Sequence, residues 1–131
     1  MIGLDTNVLV RYIMQDDPKQ SPKATALLES LSAERPGFVS LVSLTELYWV
    51  LTSCYELSRE QVVQVLDVLL RSHQIMVERA DQALRALRTF EQGKADFPDC
   101  LIERLGSAAG CEHTLTFDVA AAKHAGMVLI R

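Results

Sequence analysis

The chain has 131 residues, which suits one domain that buries its own core without disulfide or metal staples. Hydrophobic residues make up 49% and charged residues 23%, and no run approaches the ~20 apolar residues a membrane-spanning helix needs, so a membrane protein is not expected. The formal net charge of −4 argues against a broad basic surface of the kind that usually holds nucleic-acid phosphates.

An acidic chain still fits a nucleic-acid enzyme if several of its acids surround a divalent cation, which reverses the local field. Arg11, Lys19, Lys23, Arg71, Lys94 and Arg104 then remain to line an approach path. The opening Met1-Ile2-Gly3-Leu4-Asp5 has no basic segment followed by an apolar signal run, and a cytoplasmic protein is expected. Cys54, Cys100 and Cys111 are odd in number and form no Cys-x-x-Cys, so they read as small apolar core residues. His73, His113 and His124 show no metal-ligand spacing, and His124 reads as a surface helix residue.

Met1 to Leu4 is an apolar run that predicts a buried strand. Helices follow over Asn7 to Met14 and over Pro18 to Leu31, the second with Ala24, Leu27, Leu28 and Leu31 at helical spacing. Pro36-Gly37 breaks that helix, and Phe38 to Leu41 predicts a strand. Ser43 to Cys54 predicts a helix with Leu44, Leu47, Tyr48 and Leu51 on one face, while Trp49 falls off that stripe and reads as core or interface. Ser58 and Gln61 have capping-box spacing and open the next helix, whose apolar face is Val62, Val65, Leu66 and Leu69. Ile75 to Val77 is a short strand, Asp81 to Glu91 a helix, and Pro98 opens another helix running to about Ala109. Thr114 to Phe117 is a strand, Val119 to His124 a helix closed by Gly126, and Met127 to Ile130 a last strand.

Strands separated by helices imply parallel pairing. The expected fold class is therefore a three-layer α/β/α sandwich, one domain over residues 1–131, with a four- or five-stranded, mainly parallel sheet. Such sheets bind ligands at the C-terminal ends of their strands.

Three acids stand in unusual company. Asp5 is the only charge from Met1 to Val10, Glu46 the only charge from Leu41 to Cys54, and Asp118 the only charge from Thr114 to Ala122. Ionised carboxylates are rarely buried without a partner or a metal. Asp5 and Asp118 directly follow predicted strands, and Glu46 lies one turn into the helix after the second strand. Asp99 opens a helix just after Pro98, with Asp96 three residues earlier. Each acid taken alone also fits a structural role, as a helix cap or a first-turn acid favoured by the helix dipole. Taken together at one sheet edge, they suit Mg²⁺ or Mn²⁺, hard ions that take oxygen ligands and keep several waters. Such an ion polarises a phosphodiester and acidifies water.

The residues carrying these acids resemble the four motifs of the PIN domain, and within it the VapC-type toxins of bacterial toxin–antitoxin pairs. Ile2-Gly3-Leu4-Asp5-Thr6-Asn7-Val8-Leu9 is similar to the first motif and Ser43-Leu44-Thr45-Glu46-Leu47 to the second. Asp96-Phe97-Pro98-Asp99-Cys100-Leu101-Ile102 is similar to the third and Leu115-Thr116-Phe117-Asp118 to the fourth. The resemblance covers essentially the whole chain. It implies that Asp5, Glu46, Asp99 and Asp118 coordinate Mg²⁺ or Mn²⁺ at an RNA-cleaving site, and that Asp96 assists. Thr6, Asn7 and Thr116 match small polar positions that orient those acids in the family. The resemblance further implies a homodimer and inhibition by a cognate antitoxin protein. Two departures stand out. Cys100, Glu103 and Arg104 occur where the family often has small residues, and Val119-Ala120-Ala121-Ala122 lacks a further acid common after the fourth motif. The alternatives are a nuclease acting on single-stranded DNA and a catalytically silent binding or assembly module. A receiver-type signalling domain ranks below these, because only Asp5 stands after the first strand where paired acids are normal.

Overall fold

The structure is a computed structural model describing residues 1–131. It comprises two compact units, Met1–Glu78 and Arg79–Arg131.

The first unit runs β1 (Ile2–Gly3), α1 (Thr6–Met14), α2 (Gln20–Ser30), β2 (Gly37–Val39), α3 (Leu41–Ser53), α4 (Arg59–Arg71) and β3 (Ile75–Val77). The strands form a parallel sheet in the order β1-β2-β3, with Gly3 beside Phe38 and Val39 beside Val77. Its core is branched and aliphatic: Leu9, Val39, Leu44, Leu47, Leu51, Val62 and Leu66 are all buried. The face expected for α3 is the buried one, with Tyr48 beside the three leucines. Trp49 lies off it and is 46% exposed, which resolves its reading away from the core. Its ring meets Tyr48 edge-on, with centroids 5.0 Å apart.

Local chemistry sets the ends of these elements. The strand expected to reach Leu41 stops at Val39, because the Ser40 side chain accepts from Ser43 N at 3.1 Å and starts α3 two residues earlier than the apolar pattern suggests. The capping box at Ser58 and Gln61 forms as the spacing predicts. Helix α2 starts two residues after Pro18. Asp17 Oδ1 accepts from Lys19 N at 2.9 Å and Gln20 N at 2.7 Å, making a turn of the segment read as the first helical residues. Those two amides hold the Asp17 carboxyl below its usual range.

The second unit runs α5 (Ala80–Gln92), α6 (Phe97–Ala108), β4 (Leu115–Thr116), α7 (Val119–His124) and β5 (Val128–Leu129). Strands β4 and β5 pair in parallel, Leu115 beside Val128 and Thr116 beside Leu129. Helices α5 and α6 pack through Ala83, Ala86, Leu87, Phe90, Phe97 and Leu101, and Phe90 meets Phe97 edge-to-face at 6.3 Å. Gly126 takes a φ of +84°, which turns the chain from α7 into β5 as a glycine after a helix does.

The α/β class and parallel pairing expected from the sequence are both present, but the expected four- or five-stranded sheet is instead a sheet of three strands and a sheet of two, each strand only two or three residues long. The cysteine reading is corrected in part. All three are free thiols, but only Cys100 is buried. Cys54 ends α3 and Cys111 follows the left-handed Gly110, both at helix ends where the chain turns toward solvent. His124 lies in the last turn of α7, a helix residue as expected, and is partly exposed. No helix is long and apolar enough to cross a membrane.

Candidate active site

In the first unit the chain leaves β1 and immediately caps α1. Asp5 has extended backbone, and its Oδ1 accepts from Thr6 N at 2.8 Å. Thr6 is buried at 8% exposure, and its Oγ1 donates to Glu46 Oε1 at 2.8 Å. Glu46 lies in the second turn of α3, after the C-terminal end of β2. This bond holds the two acids to one place, and Asp5, Thr6, Asn7 and Glu46 line a single cleft of about 650 Å³. The rest of the lining is Val10, Arg11, Val50, Cys54 and Tyr55.

In the second unit the pattern repeats. Asp118 follows the C-terminal end of β4 and caps α7, with Oδ1 accepting from Ala120 N at 2.8 Å and Ala121 N at 3.2 Å. Thr116 Oγ1 accepts from Asp118 N at 3.0 Å and so fixes the residue carrying that carboxylate. Asp96 caps α6 by accepting from Asp99 N at 2.8 Å. Partial burial pushes the Asp99 carboxyl above its usual range. The charges of Asp96 and Asp118 push the same way, as does a side-chain hydrogen bond with Asp96.

The structure thus gathers Asp5, Thr6, Asn7 and Glu46 within one unit, and Asp96, Asp99, Thr116 and Asp118 within the other. One premise of the sequence reading is corrected. Asp5, Glu46 and Asp118 are exposed, and Asp5 and Asp118 each serve as a helix cap. The isolation of Asp5 and Asp118 marks chain that passes from a short strand to a helix start, and that of Glu46 the one acid on the exposed side of an otherwise apolar helix. Asp99, which no isolation marks, is the one of the four acids whose carboxyl is held above its ordinary range.

The donor set suits a hard divalent ion. Capping engages only the Oδ1 atoms of Asp5 and Asp118, and Thr6 engages only Oε1 of Glu46. The second oxygens of all three keep the lone pairs that Mg²⁺ or Mn²⁺ prefers. No three acidic, His or Cys side chains lie together in a group that could by itself hold a metal ion. Mg²⁺ usually takes only one or two protein carboxylates and fills its octahedron with water. Burial raises Asp99 most, and the repulsion from Asp96 and Asp118 that adds to it is of the kind a cation relieves.

Arg11, Tyr55 and the valines of the cleft are the residues a motif reading passes over. Arg11 appears in the sequence as one basic residue among several. Only the packing of α1 against α3 puts it in the same lining as Asp5 and Glu46. Of the other basic residues, Arg71 pairs with Asp67 at 3.0 Å, and Arg104 lies 3.8 Å from Glu103.

No curated protein matches the chain. A family model described as PIN domain matches residues 2–127, through both units and all four acidic motifs. With its acids at strand ends and helix starts and a match over almost its whole length, the chain belongs to the PIN-domain family, whose fold is a three-layer α/β/α sandwich and whose members are generally metal-dependent nucleases.

Proposed function

We propose that the protein is a Mg²⁺- or Mn²⁺-dependent endoribonuclease, the toxin of a toxin–antitoxin pair, and that Asp5, Glu46, Asp99 and Asp118 hold the ion. The observation that supports this reading is the match of residues 2–127 to a PIN domain, with Asp5 and Glu46 gathered in one unit, Asp99 and Asp118 in the other, and one oxygen each of Asp5, Glu46 and Asp118 outside the capping and threonine bonds. Family membership supports phosphodiester hydrolysis in general. The choice of RNA and the toxin role rest on the resemblance of the four motifs to the VapC type.

A bound divalent ion supplies positive charge that polarises the phosphodiester and acidifies water. The chain's own work is positioning. Thr6 fixes the orientation of Glu46 through its hydroxyl. The α1 and α7 caps fix Asp5, whose Oδ1 is gripped by one backbone amide, and Asp118, whose Oδ1 is gripped by two. Burial, and after it the charges of Asp96 and Asp118, raise the cost of ionising Asp99, so Asp99 gains more than an isolated carboxylate when a cation arrives. Thr116 holds the backbone of Asp118.

The same resemblance supports a homodimer and a cognate antitoxin as partners. Exposed Trp49, Val42 and Val68 supply apolar surface for such contacts. Free, solvent-facing Cys54 and Cys111 fit the reducing cytoplasm.

The test is incubation of antitoxin-free protein with labelled RNA and single-stranded DNA, in Mg²⁺, Mn²⁺ or EDTA, beside Asp5→Asn. RNA cleavage that needs the metal and is lost in the variant is expected. Cleavage of DNA alone would move the substrate class, and no cleavage of either would favour a silent binding module. Equal cleavage by wild type and Asp5→Asn would remove the site assignment.

A further inference from the structure

The cleft that holds Asp5 and Glu46 extends beyond what a metal needs. The rest of its lining is Val10, Val50, Cys54 and Tyr55, with Arg11 the one cation. Its volume of about 650 Å³ falls within the range of small-molecule sites, about 300–1,000 Å³.

The aromatic wall is built rather than incidental. Helix α3 ends with Cys54 N and Tyr55 N both donating to Val50 O, at 2.9 and 3.3 Å, and Glu56 turns with a φ of +54°. This termination places the Tyr55 ring. At its far end, the hydroxyl donates to Asp16 Oδ2 at 2.6 Å, a bond that also holds the phenol above its usual pKa. Asp16 Oδ1 lies 3.5 Å from Arg11 Nη1, and Arg11 Nε donates to Gln20 Oε1 at 2.8 Å. One carboxylate therefore ties the aromatic and cationic walls together. A ring anchored at both ends loses little freedom when another flat group stacks on it.

We propose that this cleft is a nucleotide subsite, in which the base next to the scissile phosphate stacks on Tyr55 against the apolar lining of Val10 and Val50. The inference rests on the ribonuclease reading and deepens it, because it makes single-stranded RNA the substrate class. A base paired within an A-form helix offers no free face for such stacking. Stacking tolerates any base, since every base has a π-face, so Tyr55 contributes affinity rather than sequence choice. Arg11 supplies the positive charge that an otherwise acidic cleft needs beside a phosphate backbone.

The probe is a short single-stranded RNA carrying 2-aminopurine, whose fluorescence is quenched by stacking. It is titrated with the intact chain in Ca²⁺, in place of Mg²⁺, while anisotropy reports affinity. Wild type is expected to quench, and Tyr55→Phe, which keeps the π-face but loses the bond to Asp16, to quench as well and to bind only slightly more weakly. Tyr55→Leu, which keeps apolar bulk without a π-face, and Tyr55→Ala are expected to lose the quenching and to bind about 5- to 150-fold more weakly. Should Tyr55→Ala fail to fold, Tyr55→Leu decides. Quenching and affinity unchanged in Tyr55→Leu, or no quenching by wild type, would overturn the subsite. A wild type that quenches in Ca²⁺ yet cleaves nothing in Mg²⁺ or Mn²⁺ would overturn the ribonuclease reading and leave the nucleotide site standing.

Discussion

Thr6 Oγ1 donates a 2.8 Å hydrogen bond to Glu46 Oε1, joining the first turn of α1 to the second turn of α3 across 40 positions of sequence. The donor is buried and the acceptor exposed, so the bond fixes a surface carboxylate from beneath.

Thr6→Val keeps the shape of the side chain and removes the donor. Losing a group that orients a ligand typically costs 10- to 100-fold in activity or metal affinity. We expect a loss in that range, with stability down by about 1 kcal/mol, and recovery in Thr6→Ser. Cleavage rates measured beside thermal melts check this, and a fully active Thr6→Val would show that Glu46 needs no such support.

Asp118 has two roles that substitution separates. Asparagine caps a helix about as well as aspartate, whereas alanine costs about 0.5–2 kcal/mol. Asp118→Asn is therefore expected to melt like wild type yet lose activity, and Asp118→Ala to lose both. An active Asp118→Asn would reduce this residue to a cap.

The raised Asp99 pKa has a definite consequence for metal-free protein. Between the ordinary aspartate value of 3.8 and the higher folded value, the folded chain binds more protons than the unfolded chain. Stability contributed by this group therefore falls as pH rises through that window, and the cost persists above it. In EDTA, Asp99→Asn is expected to be more stable than wild type at neutral pH and to show a shallower loss across the window. Denaturant midpoints over a pH series measure it. An Asp99→Asn variant less stable than wild type at neutral pH would contradict the assignment.

Gly37 lies in the central strand of the three-stranded sheet, where an added Cβ would sit 2.7 Å from Leu4 Cδ1 and 2.9 Å from Leu31 Cδ1. Both leucines are buried, so their methyl groups have little room to move. Gly37→Ala is expected to destabilise the fold by about 1–3 kcal/mol, and an unchanged melting temperature would show that the leucines repack freely.

Helix faces were the most legible part of the fold, because burial imposes a 3.6-residue period directly on α3 and α4. Strand ends were not. The apolar run at Phe38–Leu41 says nothing of the Ser40 cap, which draws Leu41 out of the strand into α3. Asp5, Glu46 and Asp118 were visible through their isolation, yet for a different reason from the one burial suggests, since all three face solvent. The state of Asp99 was invisible in one dimension, as it depends first on burial, then on the charges of nearby Asp96 and of Asp118 from a distant segment. Tyr55 was likewise hidden, because its place in the cleft depends on how α3 terminates and on Asp16, 39 positions away.

The most direct test of the account is whether the named acids hold the ion. Thermal stability is measured in EDTA and in increasing Mn²⁺ for wild type, Asp5→Asn, Glu46→Gln, Asp99→Asn and Asp118→Asn. An ion bound only by the folded chain adds about 2.7 kcal/mol at a concentration 100 times its Kd. A saturable rise in the wild type, weakened or lost in each of the four variants, is the expected result. No Mn²⁺-dependent rise in the wild type, or an undiminished rise in all four variants, would contradict the claim that these carboxylates form the metal centre.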